Sequence, residues 1–279
     1  MSGSATVRRR TLIVLAAIAI GLGTVGTPTQ AAAPPLPESI ASIGDSITRA
    51  TNACCFYGDH PSQSWSTGGN PIGPVRSHYE RLLGANPAIA NNSFNDARAG
   101  ARMEEADDQA AVAVSQGADY VTILIGANDA CTSSRSTMTP VPDFRVQFRA
   151  AMETLTTGLP DSHVFVASIP KIRRLWRLFR DDPIARLVWS GARICQSMLS
   201  PTNTAADRRA VHERVQRFNA VLAEVCALYA SCRYDGGAVF SFPFERDHVS
   251  RLDYFHPDLD GQAALADIMW ARSWWPDVA

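Results

Sequence analysis

The run Tyr120-Val121-Thr122-Ile123-Leu124-Ile125 constrains the fold of this chain more than any other stretch. It carries no charge, four of its six residues are β-branched, and polar and apolar side chains do not alternate along it. Such a run suits a strand buried on both faces. Sheets covered on both faces are mostly parallel, because the helices that cross between parallel strands do the covering. The run ends abruptly at Gly126-Ala127-Asn128-Asp129, a turn sequence.

Four other segments read as short strands, at 39–44, 88–93, 163–168 and 238–242. Helical patterns separate them, at 74–83, at 103–115 (acidic in its first turn and closed by Gly117), and at 143–155. A helix-rich excursion spans 170–199, a helix follows at 205–229, and Asp260 can cap a last helix at 261–273. Five strands alternating with helices predict an α/β protein with a five-stranded parallel sheet and helices on both faces. With 279 residues, 46% hydrophobic and 19% charged, one domain over 34–279 is expected.

The first strand runs into Gly44-Asp45-Ser46. Open α/β folds bind ligands at the carboxyl edge of the sheet, so Ser46 is a candidate nucleophile. Gly-Asp-Ser is also ordinary turn chemistry. The functional reading gains from three further stretches that arrive in order at strand ends or in a late loop: Ala99-Gly100, Gly126-Ala127-Asn128-Asp129 and Asp253-Tyr254-Phe255-His256.

Ester hydrolysis by a serine needs a base, a group that orients the base, and donors for the developing oxyanion. His256 is the candidate base. Asp253, three residues earlier, can accept the other ring N–H, and Pro257 restricts the histidine backbone. Asp-x-x-His is equally a helix cap with an incidental histidine. His60, His78, His163, His212 and His248 read as surface or packing residues, with His248 beside Asp247 the one rival pair. The candidate oxyanion donors are the backbone N–H groups of Ser46 and Gly100 and the side-chain amide of Asn128.

This ordered set resembles the four blocks of the SGNH, or GDSL, hydrolases over nearly all of the chain after its amino-terminal segment. The resemblance implies a flavodoxin-like, three-layer α/β/α fold. It implies Ser46 as nucleophile, Gly100 and Asn128 in the oxyanion hole, and Asp253 and His256 as acid and base. Bacterial extracellular lipases and esterases are the members it looks most like. The chain departs from the family in the size of the segment after the fourth strand and in the adjacent Cys54 and Cys55, which put the usual disulfide scheme in doubt.

The amino terminus combines Arg8-Arg9-Arg10, an apolar run at 12–22 and small residues around Ala31-Ala32-Ala33. This is the make-up of an export signal over 1–33, too short and glycine-broken to suit a membrane anchor, and a secreted product is expected. Six cysteines fit an oxidising compartment. Cys226 and Cys232 are close in sequence, Cys131 can reach Cys195, and Cys54 and Cys55 are left as a strained vicinal pair unless the other pairings are wrong; sequence does not choose among the connectivities. No Cys/His cluster has zinc spacing, so neither metal nor cofactor is expected. A net charge of −1 offers no global attraction to nucleic acid. A monomer acting on a small-molecule or lipid ester is expected.

Residues 171–180 place Ile172, Leu175, Trp176 and Phe179 on one helical face and arginines largely on the other. This reads either as a basic helix touching a lipid interface or anionic substrate, or as a surface helix packing one face on the body. Phe56, Tyr57 and Trp65 line a substrate site or form satellite core, and Trp65 and Trp176 are the candidate substrate contacts. Fatty-acyl esters are the first expected substrate and short acyl groups on carbohydrate the second. Two other classes compete with the enzyme: a secreted binding module on the same fold, and a flavodoxin-like nucleotide binder, which would need a phosphate loop that this chain lacks.

Overall fold

Every residue of the strand Tyr120–Leu124 is buried, and that strand lies at the centre of the sheet. The computed structural model describes residues 1–4 and 33–278; the signal-peptide reading falls largely outside the described residues. The strands are β1 (Ile40–Gly44), β2 (Ser93–Asn95), β3 (Tyr120–Leu124), β4 (His163–Val166) and β5 (Cys232–Tyr234). They form one sheet in the order β2-β1-β3-β4-β5, with every pairing parallel. The helices in chain order are α1 (His78–Ala85), α2 (Ala106–Gln116), α3 (Ala127–Ala130), α4 (Val141–Gly158), α5 (Ile172–Phe179), α6 (Pro183–Gly191), α7 (Gln196–Leu199), α8 (Ala205–Cys226), α9 (Ala238–Ser241) and α10 (Leu259–Trp270).

The period-2 alternation of the strands sorts the core into two layers. On one face Tyr120 and Phe165 meet His78 of α1, whose ring stands 5.1 Å from that of Trp270 in α10. His78 is fully buried, its Nδ1 lies 3.0 Å from the Tyr120 hydroxyl, and burial pushes its pKa down to about 3. It is a neutral packing residue. On the other face α2 packs against β1 and α4, and α4 against α8, where the rings of Phe144 and Phe218 stack at 4.1 Å.

Two predicted strands are elsewhere. In place of 88–93, Pro87–Ile89 form a 3₁₀ turn, with the Asn86 side chain accepting the Ala88 N–H, and the strand begins only at Ser93. Proline fixes a turn-compatible φ and has no N–H for a ladder. The apolar run at 238–242 is helical: Asp235 caps it, accepting the N–H groups of Gly237 and Val239 at 2.8 and 3.0 Å. The fifth strand is the short edge segment Cys232–Tyr234, whose polar character hid it. The last helix is capped two residues earlier than predicted, with Asp258 accepting the Gly261 N–H at 2.9 Å.

Disulfides join Cys131 to Cys195 and Cys226 to Cys232. The first ties the end of α3 to the start of α7; the second ties the end of α8 to β5. Cys54 and Cys55 are both thiols, so the vicinal bridge is absent. Burial and a hydrogen bond with Cys55 push the Cys54 thiol up to about 11.

Candidate active site

The site begins where β1 leaves the sheet. Gly44 is clamped by the buried amide of Gln109 in α2, which accepts the Gly44 N–H at 2.8 Å and donates to the Gly44 carbonyl at 3.1 Å. A Cβ on Gly44 would collide with the Thr48 side chain and stand 2.8 Å from the Leu124 carbonyl oxygen. Glycine is therefore required for β1 to run this close to β3. A second buried amide, Gln262 of α10, donates to the Ile47 carbonyl at 2.8 Å and accepts the Trp65 N–H at 3.0 Å. Between these clamps lies Ser46.

Asp45 points inward, 1% exposed. One carboxylate oxygen accepts the Ile47 N–H at 2.9 Å and the other has no hydrogen-bond partner. Burial pushes its pKa up to about 7, against the opposing pull of the Ile47 N–H and of His256. Asp129, after Asn128, is held up at about 6 by burial, while its Oδ2 accepts the Met103 N–H at 2.9 Å.

The late loop is folded on itself. Oδ1 of Asp253 accepts the backbone N–H groups of Phe255 and His256 at 2.8 and 3.0 Å, and the Ser250 N–H donates to the His256 carbonyl at 2.9 Å. An antiparallel bridge pairs Val249 with Pro257. This fixes the imidazole: Nδ1 lies 2.5 Å from Asp253 Oδ2, and Nε2 lies 2.8 Å from Ser46 Oγ. Asn52 donates its side-chain amide to the same Asp253 Oδ2 at 2.6 Å. Burial alone would raise the Asp253 pKa, but the hydrogen bonds and charge of His256 and the Asn52 amide outweigh it and hold the carboxyl below its ordinary value. With Nδ1 protonated and facing the carboxylate, Nε2 is left to accept the serine proton.

Three donors lie on the segments that follow β1, β2 and β3. Among the described residues the backbone N–H groups of Ser46 and Gly100 have no hydrogen-bond partner. Gly100 has φ +86, in the left-handed region, with open space where a Cβ would be. Its loop is moored on both sides: the Arg98 N–H donates to the Gly44 carbonyl at 3.1 Å, and the Asn128 amide donates to the Ala101 carbonyl at 3.0 Å. That bond uses one of the two amide hydrogens of Asn128 and leaves the other.

An apolar groove opens beside the segment that carries Ser46. Ile47, Ala127 and Pro257 line it next to Ser46, Asn128 and His256, and Ile172, Leu175 and Leu178 of α5 form a further wall. The sequence-derived substrate contacts are not there. Trp65 is 0% exposed, its indole N–H 3.4 Å from Thr48 Oγ1, and belongs to the core. Trp176 does not line the groove; Arg208 stacks on it at 4.5 Å. Phe56 and Tyr57 are exposed, and the Tyr57 hydroxyl donates to the Leu252 carbonyl at 2.8 Å. The rival His248 is a groove wall residue whose Nδ1 accepts the Glu245 N–H at 2.9 Å. Gln109, Gln262 and Asn52 were not legible from sequence, since nothing local distinguishes a clamping amide from any other.

The family described as "GDSL-like Lipase/Acylhydrolase family" matches residues 42–264. No curated protein matches the chain in sequence. Among solved structures, phospholipase A1 from Streptomyces albidoflavus NA297 is 16% identical with a TM-score of 0.51, covering 84% of this chain and 99% of that one. A family two carbohydrate esterase from Clostridium thermocellum, in complex with cellohexaose, is 15% identical with a TM-score of 0.50, covering 86% of this chain and 65% of that one. At these identities the likeness is one of fold.

Proposed function

Because the chain belongs to the GDSL-like lipase/acylhydrolase family and is a carboxylic ester hydrolase, we propose that it cleaves fatty-acyl esters through an acyl-enzyme on Ser46. The observation that carries this is the line Ser46 Oγ, His256 Nε2, His256 Nδ1, Asp253 Oδ2, with 2.8 and 2.5 Å between the members of its two hydrogen bonds. His256 takes the Ser46 proton as Oγ attacks the ester carbonyl. The Ser46 and Gly100 N–H groups and the free Asn128 amide hydrogen stabilise the oxyanion. His256 Nε2–H then protonates the departing alcohol, and water enters by the same path in reverse to release the acid. Asp253 holds the ring tautomer and stabilises the imidazolium.

The groove wall of Ile172, Leu175 and Leu178 supports an extended acyl chain over acetyl. A polar cleft lined by Arg49, Asp59, Asn95, Asp96 and Arg98 reaches Ala99, next to Gly100, and is the place proposed for the alcohol. The amino-terminal segment is proposed to direct secretion, leaving 34–279 as a single monomeric domain.

The test is turnover of a p-nitrophenyl ester series of increasing acyl length, with Ser46→Ala as background. A Ser46-dependent preference for long chains supports the reading. A preference for acetyl or butyryl esters favours the short-chain or carbohydrate esterase instead, and activity retained in Ser46→Ala overturns the acyl-enzyme.

A further inference from the structure

The apolar face of α5 is turned inward: Ile172 and Phe179 are buried and Leu175 and Leu178 face the groove. The next helix behaves differently. On α6 Ala185 and Trp189 pack inward, while Ile184 and Leu187, one turn apart, are 59% and 73% exposed. Two large apolar side chains displayed side by side on a nine-residue helix gain nothing for the isolated fold.

Charge singles out the same place. Residues 171–193 hold seven basic and two acidic side chains, a balance of +5 in a chain whose net charge is −1. The two acids are matched locally. Asp181 pairs with Arg180 at 3.2 Å, and Asp182 caps α6 and pairs with Arg246 at 2.6 Å. Arg177, Arg186 and Arg193 are exposed and have no acidic partner among the described residues. Exposed leucine and isoleucine amid unneutralised arginines are complementary to an anionic lipid headgroup layer, which offers phosphate to the guanidinium groups and acyl chains to the apolar tips.

The helix is also joined to the site. The Trp189 indole N–H donates to the Tyr254 carbonyl at 3.0 Å, two residues from His256, and α5, which leads into α6, supplies Leu175 and Leu178 to the groove. We propose that α6, with Ile184 and Leu187 as its inserting residues and Arg186 and the following Arg193 as its anionic contacts, seats the protein on anionic phospholipid surfaces beside the groove. The proposal concerns docking and does not depend on the acyl-enzyme reading.

The experiment is co-sedimentation of the Ser46→Ala protein, which leaves lipid intact, with vesicles of pure phosphatidylcholine and of phosphatidylcholine containing phosphatidylglycerol. Binding is expected on the anionic vesicles only and should fall with salt. Ile184→Ser with Leu187→Ser, and separately Arg186→Ala with Arg193→Ala, should each weaken it about tenfold. With Ser46 retained, both double variants should turn over a soluble p-nitrophenyl ester at the parent rate, which shows they are folded. No binding to anionic vesicles, or binding that neither double variant weakens, overturns the proposal. So does a parent dimer that Ile184→Ser with Leu187→Ser dissociates while vesicle binding is absent, since the face would then be covered by a second copy. Loss of soluble-ester turnover only in Ser46→Ala bears on the acyl-enzyme reading and not on this one.

Discussion

Replacing Asp45 with asparagine should stabilise the protein in neutral solution and leave it nearly unchanged in acid. Asp45 is 1% exposed, one of its carboxylate oxygens lacks any partner, and burial raises its pKa from 3.8 to about 7. Below about pH 4 the carboxyl is protonated in both folded and unfolded chains and pH does not act through it. Between about 4 and about 7 the folded protein keeps the proton that the unfolded chain has released, so stability falls as pH rises, by about 1.4 kcal/mol per unit. Over this span of about three units the loss reaches about 4 kcal/mol and is complete above about pH 7. Asparagine keeps an oxygen for the Ile47 N–H and has nothing to ionise. Urea unfolding of the wild type and Asp45→Asn at about pH 4.5 and about pH 8 measures the gap between them, with Asp129 and all other titrating groups common to both. The gap should widen in favour of Asp45→Asn by roughly 3–4 kcal/mol between these pH values. A gap that stays constant with pH would refute the assignment of Asp45 as a buried, proton-holding carboxyl.

Gln109→Ala strands the buried N–H of Gly44, whose carbonyl keeps the Arg98 N–H, and should cost roughly 1–3 kcal/mol in urea unfolding; a cost under about 0.5 kcal/mol would mean that the clamp is not holding the turn. Asn52→Ala removes a hydrogen bond to a carboxylate and should lower kcat on a p-nitrophenyl ester about tenfold with KM little changed, because Asn52 bonds Asp253 and does not line the groove. An unchanged kcat would show that the Asp253 carboxylate is held without it. Leu175→Trp, which fills the groove from α5, should reduce turnover of long-chain esters at least about tenfold relative to the acetyl ester. Equal loss on both would place the acyl chain elsewhere.

What sequence reading supplies here follows from which contacts are local. The continuous run of β3 shows itself because burial on both faces leaves no polar period. The Asp253-x-x-His256 pairing is a three-residue spacing closed by backbone N–H groups of the same loop. Ser46 can be placed at a sheet edge because β1 stops at glycine. The edge strand β5 has three residues and half-buried side chains, too short for any period, and the apolar segment that follows it was a better strand by composition than the true one. Trp65 and Trp176 could not be sorted from groove residues, since an aromatic side chain suits a core and a binding wall equally. Gln109, Asn52 and Gln262 act across sequence separations of 65, 201 and 215 residues, which only the fold brings together.

The central claim is that Ser46 carries the acyl group, and the most direct measurement is intact and peptide mass after reaction with diethyl p-nitrophenyl phosphate, which phosphorylates activated serines. The account predicts one diethylphosphoryl group per chain, on the peptide that contains Ser46, absent in Ser46→Ala and formed much more slowly in His256→Ala. A label on another residue, or labelling of Ser46→Ala equal to that of the wild type, would contradict it.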